Sequence, residues 1–268
     1  MTAKLFLQTS LFVLLTLLTQ IGGVAYLLAL MINRSGRRKL KTFVLFVGLY
    51  AGLSVGTVFV APVFGRVPLS CVADNGSLFV MRSPVICILN RHYVRPELKA
   101  AAIALASSVN EKFPGTVTLA LDANFPFIDG FPMLPHLSHK DGRKLDISYY
   151  YLGANGEYAR GKTKSPVGYW GFEEPLAGTP LPCAGRDDKL TARWDVKWFK
   201  PLLGELRLDE GRLRTALVWL VEKGRAANIE KAFIEPHLAE RLKVKNDIIR
   251  FQGCRAARHD DHLHIQTR

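Results

Sequence analysis

Acidic side chains are missing from the first 66 residues, and two stretches within them lack charge of either sign. The run from Leu5 to Asn33 and the run from Thr42 to Gly65 each exceed the ~20 residues an α-helix needs to cross a bilayer. Runs that long exclude an ordinary soluble surface. They also exclude a cleavable signal peptide, whose apolar core is shorter and whose start is more basic. With no charged residue inside either run, an ion or substrate path through the bilayer is disfavoured. The expectation is a two-helix transmembrane hairpin over residues 1–66, followed by a domain over 67–268.

Other shortages narrow the function. The four cysteines, Cys71, Cys87, Cys183 and Cys254, include no C-x-x-C pair, which excludes a four-cysteine zinc site. All four follow the apolar runs, and an even count favours disulfides in an oxidising compartment, with three pairings open. No internal repeat or low-complexity linker occurs. Six of the 36 basic residues precede Arg66, leaving 30 against 23 acidic ones, or +7, for the rest of the chain. That balance suits an anionic partner such as cell wall or a lipid surface. It is not the basic stripe of a nucleic-acid binder.

Between the runs lies RSGRRKLK, with Arg34, Arg37, Arg38, Lys39 and Lys41 and no acid. Short basic loops stay cytoplasmic. Both termini and the domain after Arg66 are therefore expected outside the cytoplasm. Gly48, Gly52 and Gly56 leave one face of the second span nearly bare, which suits close packing on the first span or on a second copy.

In the domain, SLFVM and PVICIL read as two strands around a turn at Arg82 to Pro84. PELKAAAIALASSVNEKF reads as a helix with proline at its start. TVTLALDA, LDISYYYL, IEKAFIE and HLHIQT read as strands; ARWDVKWFKPLL, EGRLRTALVWLVEKGRAAN and PHLAERLK read as helices. Two long Pro- and Gly-rich connections, 125–144 and 153–188, have the length of functional loops, the second a candidate lid. The fold class is α+β: a mainly antiparallel sheet with flanking helices and long loops.

Histidine carries the chemistry. Five of seven fall in two windows, HLSHKDGRKLD from His136 and HDDHLH from His259. His262 and His264 are two apart on a strand and face one side. Gly142 lets the loop double back, so that His139 and Asp146 can reach the same ion. Zinc takes imidazole nitrogen and carboxylate oxygen, and a catalytic site uses three protein ligands with a fourth position open. His92 and His237 lack such company and are expected to be structural.

The pattern H-x-x-H-x-x-x-x-x-x-D, followed far downstream by H-x-x-H-x-H, resembles penicillin-insensitive murein endopeptidase. That family belongs with lysostaphin-type peptidases, zinc D-Ala-D-Ala peptidases and hedgehog domains. The likeness spans roughly residues 70 to 268, with softer similarity in ARWDVKWFKPLL and KAFIEPHL. It implies one zinc per chain held by His139, Asp146 and His264, His262 as the catalytic group, and His136 and His259 lining the pocket. It also implies peptidoglycan peptides as substrate and a periplasmic site, which together with the apolar runs places the domain at the bacterial inner membrane, facing the periplasm. The family's enzymes are soluble, whereas this chain is tethered by its apolar runs. Asp141, Asp260 and Asp261 stand as alternative bases or as partners orienting an imidazole. The hedgehog relatives, whose zinc site serves binding, set the second expectation: a non-catalytic zinc-stabilised domain that binds wall or a partner protein.

Overall fold

The computed structural model describes residues 3–33, 39–74, 76–186, 193 and 197–268. Arg34, Arg37 and Arg38 of the basic loop lie outside the described residues, as do Trp194 to Val196.

The first apolar run forms two helices, not one. α1 spans Ala3–Thr19 and α2 spans Gly22–Ile32, with Gln20 between them at a φ of 67°. The chain doubles back there: a Cβ on Gly23 would meet Thr16 and Phe12, and one on Gly22 would meet Thr19 and Leu15. The reason is local, since only residues without side chains let α2 lie this close to α1. α3, Lys39–Val60, then runs against α2, with Tyr26 and Phe46 rings 6.4 Å apart and Asn33 Nδ2 donating to Thr42 Oγ1. α1 and α3 therefore run in the same sense.

Among the described residues only α3, extended by a 3-10 turn to Phe64, is long and apolar enough to cross a membrane. The 11 residues of α2 rise about 16 Å, short of a ~30 Å hydrocarbon core. Length and composition thus support one span, beside a folded-back pair of shorter apolar helices, where two spans were expected. Among the described residues, no atom outside the helix's own backbone lies within 4 Å of a Cβ built at Gly48, Gly52 or Gly56.

After α3 the chain builds β1 (Val67–Pro68), β2 (Phe79–Met81), α4 (Pro84–Ile88), β3 (Tyr93–Val94), α5 (Pro96–Lys112), β4 (Thr118–Asp122) and β5 (Lys144–Ser148). It continues with β6 (Tyr151–Leu152), β7 (Arg207–Leu208), α6 (Glu210–Lys223), β8 (Ile229–Phe233), α7 (Pro236–Arg241), β9 (Ile249–Arg250) and β10 (His262–Thr267). Six strands form one sheet in the order β2-β4-β5-β10-β8-β9, antiparallel at its three central pairings and parallel at both edges. The mixed, antiparallel-rich α+β fold agrees with the expectation.

PVICIL is a correction: it is the helix α4, not a strand. Its β-branched residues suggest a strand, but the Ser83 side chain accepts from Val85 N and Pro84 occupies the first turn, which together start a helix. ARWDVKWFKPLL also differs, its described part being a 3-10 turn over Lys197–Leu202 that contains Pro201.

Strand alternation places the site. Leu145 and Ile147 of β5, with Leu263 and Ile265 of β10, join the core under α5 and α6. Their neighbours Asp146, His262 and His264 therefore lie on the opposite face of the two central strands. Two disulfides, Cys71–Cys87 and Cys183–Cys254, account for every cysteine. The second closes a separation of 71 residues and ties the long 153–188 connection to the segment before β10. Loop-closure entropy for that length gives about 4 kcal/mol. Replacing both Cys183 and Cys254 by alanine should lower unfolding stability by roughly that amount in a denaturant titration; an unchanged midpoint would contradict it.

Candidate metal centre

Three donor atoms converge on one point. β10 pairs with β5 so that His264 stands opposite Asp146. His264 Nδ1 lies 2.7 Å from Asp146 Oδ1, His139 Nε2 lies 3.2 Å from His264 Nδ1, and His139 Nε2 lies 3.3 Å from Asp146 Oδ1. All three residues are buried. A tetrahedral zinc with bonds of about 2.0–2.1 Å separates its ligand atoms by about 3.3–3.4 Å, close to two sides of this triangle.

The proton arrangement suits a cation. Ala123 O can only accept, so His139 Nδ1, 2.8 Å away, donates to it and leaves the Nε2 lone pair aimed at the centre. Tyr169 Oη donates to Asp146 Oδ2 at 2.8 Å, which leaves Oδ1 for the centre. Burial alone would raise the Asp146 carboxyl, but the charges of His139 and His262 hold it well below the usual range. Burial pushes His264 down to about 4 despite Asp146, so its imidazole is neutral, as a metal ligand must be. For His139 burial pulls down, and the Asp146 charge outweighs it and raises the group, so a cation at the centre would have to displace a proton from its Nε2. His264 Nε2 is buried without a hydrogen-bond partner among the described residues. This buried His/Asp group can hold a metal ion.

The other expected residues surround it. His262 Nε2 lies 3.7 Å from Asp146 Oδ1, and its Nδ1 is hydrogen-bonded to Asp261. Burial opposes charge on His262, but Asp261 and Asp146 outweigh it and hold the imidazole up at about 9. His136 Nδ1 is 3.4 Å from Asp146 Oδ2 and 3.0 Å from Asp122 Oδ2. One donor atom each from His136, His139 and Asp146 falls within 4.8 Å, but His136 approaches the Oδ2 side, already occupied by Tyr169. His259 is buried with its ring 4.9 Å from that of His262; burial and the neighbouring histidines hold it well below the ordinary range.

The aspartates separate. Asp260 pairs with Arg258, and Asp141 with Lys144. Asp261 is the one that orients an imidazole, and its other oxygen accepts from Trp170 N. His92 and His237 stand apart, as expected. His237 Nε2 donates to Glu173 O. His92 lies near Cys71 and Cys87, but their disulfide removes both thiolates as metal donors.

Sequence reasoning missed Asp122, Arg91 and Tyr169. Asp122 ends β4 opposite Asp146 and is held by Arg91. An aspartate closing an otherwise apolar strand was the available signal. Tyr169 comes from the long 153–188 connection, which folds over the site as a lid would: Tyr169, Trp170 and Phe172 line a cleft of ≈ 260 Å³ with His136, Asp261 and His262. Nothing in its local pattern marks Tyr169. Its hydroxyl orients Asp146, so Tyr169→Phe should weaken zinc binding ~10- to 100-fold, as loss of such partners does elsewhere. Chelator competition measures this; unchanged affinity would remove Tyr169 from the centre.

No family model matches the chain, and no curated protein matches it.

Proposed function

We propose that this protein is a membrane-anchored zinc peptidase that hydrolyses peptide cross-links of peptidoglycan. The observation that carries the reading is the triangle of His139 Nε2, Asp146 Oδ1 and His264 Nδ1, with His262 beside it and a cleft in front. Three ligands leave a fourth position of a tetrahedral zinc for water or substrate. Zinc bound there would lower the pKa of its water toward ~7 and polarise the scissile carbonyl.

The chain's own groups handle the protons. Asp261 holds His262 through Nδ1; a zinc ion bound beside it would oppose the charge that Asp261 and Asp146 favour on the imidazole, and so leave Nε2 to take a proton from the attacking water. The water oxygen bonds to the carbonyl carbon, the C–N bond breaks, and the same Nε2 returns the proton to the leaving amine. Substrate class rests on the resemblance to murein endopeptidase, supported by the mildly basic domain and by disulfides consistent with an extracytoplasmic site.

In this reading α3 crosses the inner membrane with Lys39 and Lys41 at its cytoplasmic end, and the domain is periplasmic. Because α1 runs in the same sense as α3, the amino terminus lies with the basic loop and not outside, as a single first span would require. A reporter fused ahead of Ala3 should therefore report the cytoplasmic side, opposite to one at the carboxyl terminus.

The test of function is digestion of purified cross-linked muropeptides by the full chain with zinc. Expected are two fragments summing to the substrate plus one water, and their loss with chelator. Intact cross-links with zinc bound would favour the alternative, a zinc-stabilised binding domain.

A further inference from the structure

The loop that carries His136 and His139 is seated on the apolar amino-terminal helices. Gln20 Oε1, at the turn between α1 and α2, accepts from Phe127 N at 2.9 Å. The Phe64 and Phe127 rings stand 5.0 Å apart. Arg66, fully buried just after the spanning helix, donates to Phe125 O and pairs with Asp129. α4 grips the same helix from another point: Tyr50 Oη donates to Ile88 O, and Asn90 Nδ2 donates to Tyr50 Oη and to Ser54 Oγ. Ile86 of α4 and Pro135 beside His136 line the cleft. Two walls of the cleft are thus fastened directly to the helix that is long enough to cross a bilayer.

The surface around these walls carries a group of exposed apolar side chains, beside the exposed Asp129 and Lys140 of the His139 loop. Val85 and Ile88 on α4, Leu134 and Leu137 flanking His136, and Val167 are each between 46% and 60% exposed. The helix they adjoin exposes Val55, Val58, Phe59, Val60 and Val63 in turn. Large exposed aliphatic side chains grouped in this way mark a surface that another apolar phase covers. Because α4 is bonded to α3, that surface continues the one that would face lipid. We propose that the rim of the cleft lies in the outer leaflet of the bilayer crossed by α3, and that the site takes peptides anchored in that leaflet by a lipid chain. A site pressed to the leaflet meets chains that emerge from it, at high local concentration. The substrate half rests on the hydrolase reading; the membrane face does not.

The experiment uses the full chain in vesicles of phosphatidylcholine and phosphatidylglycerol. All native cysteines are in disulfides, so Ile88→Cys, Leu137→Cys and the control Ile103→Cys on α5 can each be spin-labelled singly. Labels replacing Ile88 and Leu137 should be relaxed by oxygen, which concentrates in lipid, and shielded from a water-soluble nickel chelate. The label replacing Ile103 should show the reverse. Nickel access equal to that of the control would overturn the proposal, and so would shielding from both reagents, which would mean a second copy covers the rim. In the same vesicles, a cross-linked peptide carrying a lipid chain should be cleaved ~10-fold or more faster than the same peptide without it. Equal rates would overturn the substrate half alone. No cleavage of either, with the rim in lipid, would overturn the hydrolase reading and its substrate half while the membrane face stands.

Discussion

His264→Ala is expected to strip the metal and all activity together. His264 provides one corner of the donor triangle from the middle of the sheet, where the strand pairing sets it opposite Asp146. His262 points from the same face but is tied by its Nδ1 to Asp261. With two protein donors left, zinc content of the purified full chain should fall from about one per chain to near zero. Asp146→Asn should do the same, because the neutral amide loses the charge that two imidazoles and the ion share. Folding is checked separately by far-UV circular dichroism. The sheet should persist, since the core of the domain lies on the other face of these strands and both disulfides remain. Unchanged zinc in the folded His264→Ala protein would end the ligand assignment.

His262→Ala should separate chemistry from metal binding. Its Nε2 lies beside the triangle, 3.7 Å from Asp146 Oδ1, farther than any of the three proposed ligand atoms lie from one another. The variant should therefore retain zinc while turnover falls ~10²- to 10⁴-fold, the usual contribution of general acid–base catalysis. Asp261→Asn should retain zinc and lose less, because it loosens the imidazole without removing it. The paired readout matters. Loss of zinc with His262 would make the site a closed, structural one, and wild-type turnover would move proton transfer to another group.

The parts of this account that were legible in the sequence share a cause. Histidine is scarce and strand alternation has period two, so HLHIQT revealed both the strand and the face that His262 and His264 share. Asp146 was visible at the start of a second strand. What the sequence did not disclose was pairing between distant segments: the register that sets His264 against Asp146, and the return of residue 169 over a centre built from residues 139 to 264. Hydropathy misled in the first apolar run, because composition stays apolar through Gln20 to Gly23 while the backbone turns there. The Gln-Ile-Gly-Gly stretch was the only mark of that turn. In the second run the regular glycines suggested a face for the first span or a second copy; among the described residues of one chain, the close approach of the apolar helices is at Gly22 and Gly23. PVICIL was misread because β-branched residues weighed more than the Ser-Pro start that makes it a helix. The anchor's part in shaping the site, through Gln20 and Arg66, involves contacts across dozens of residues, and no local pattern reports them.

The central claim is an open metal centre, and zinc-edge X-ray absorption of the full chain tests it most directly. The account predicts two imidazole nitrogens and one carboxylate oxygen from protein, with a solvent oxygen completing the shell at about 2.0–2.2 Å. A third imidazole in the shell, absent from the spectrum of His262→Ala, would show a closed site and contradict hydrolysis at this centre.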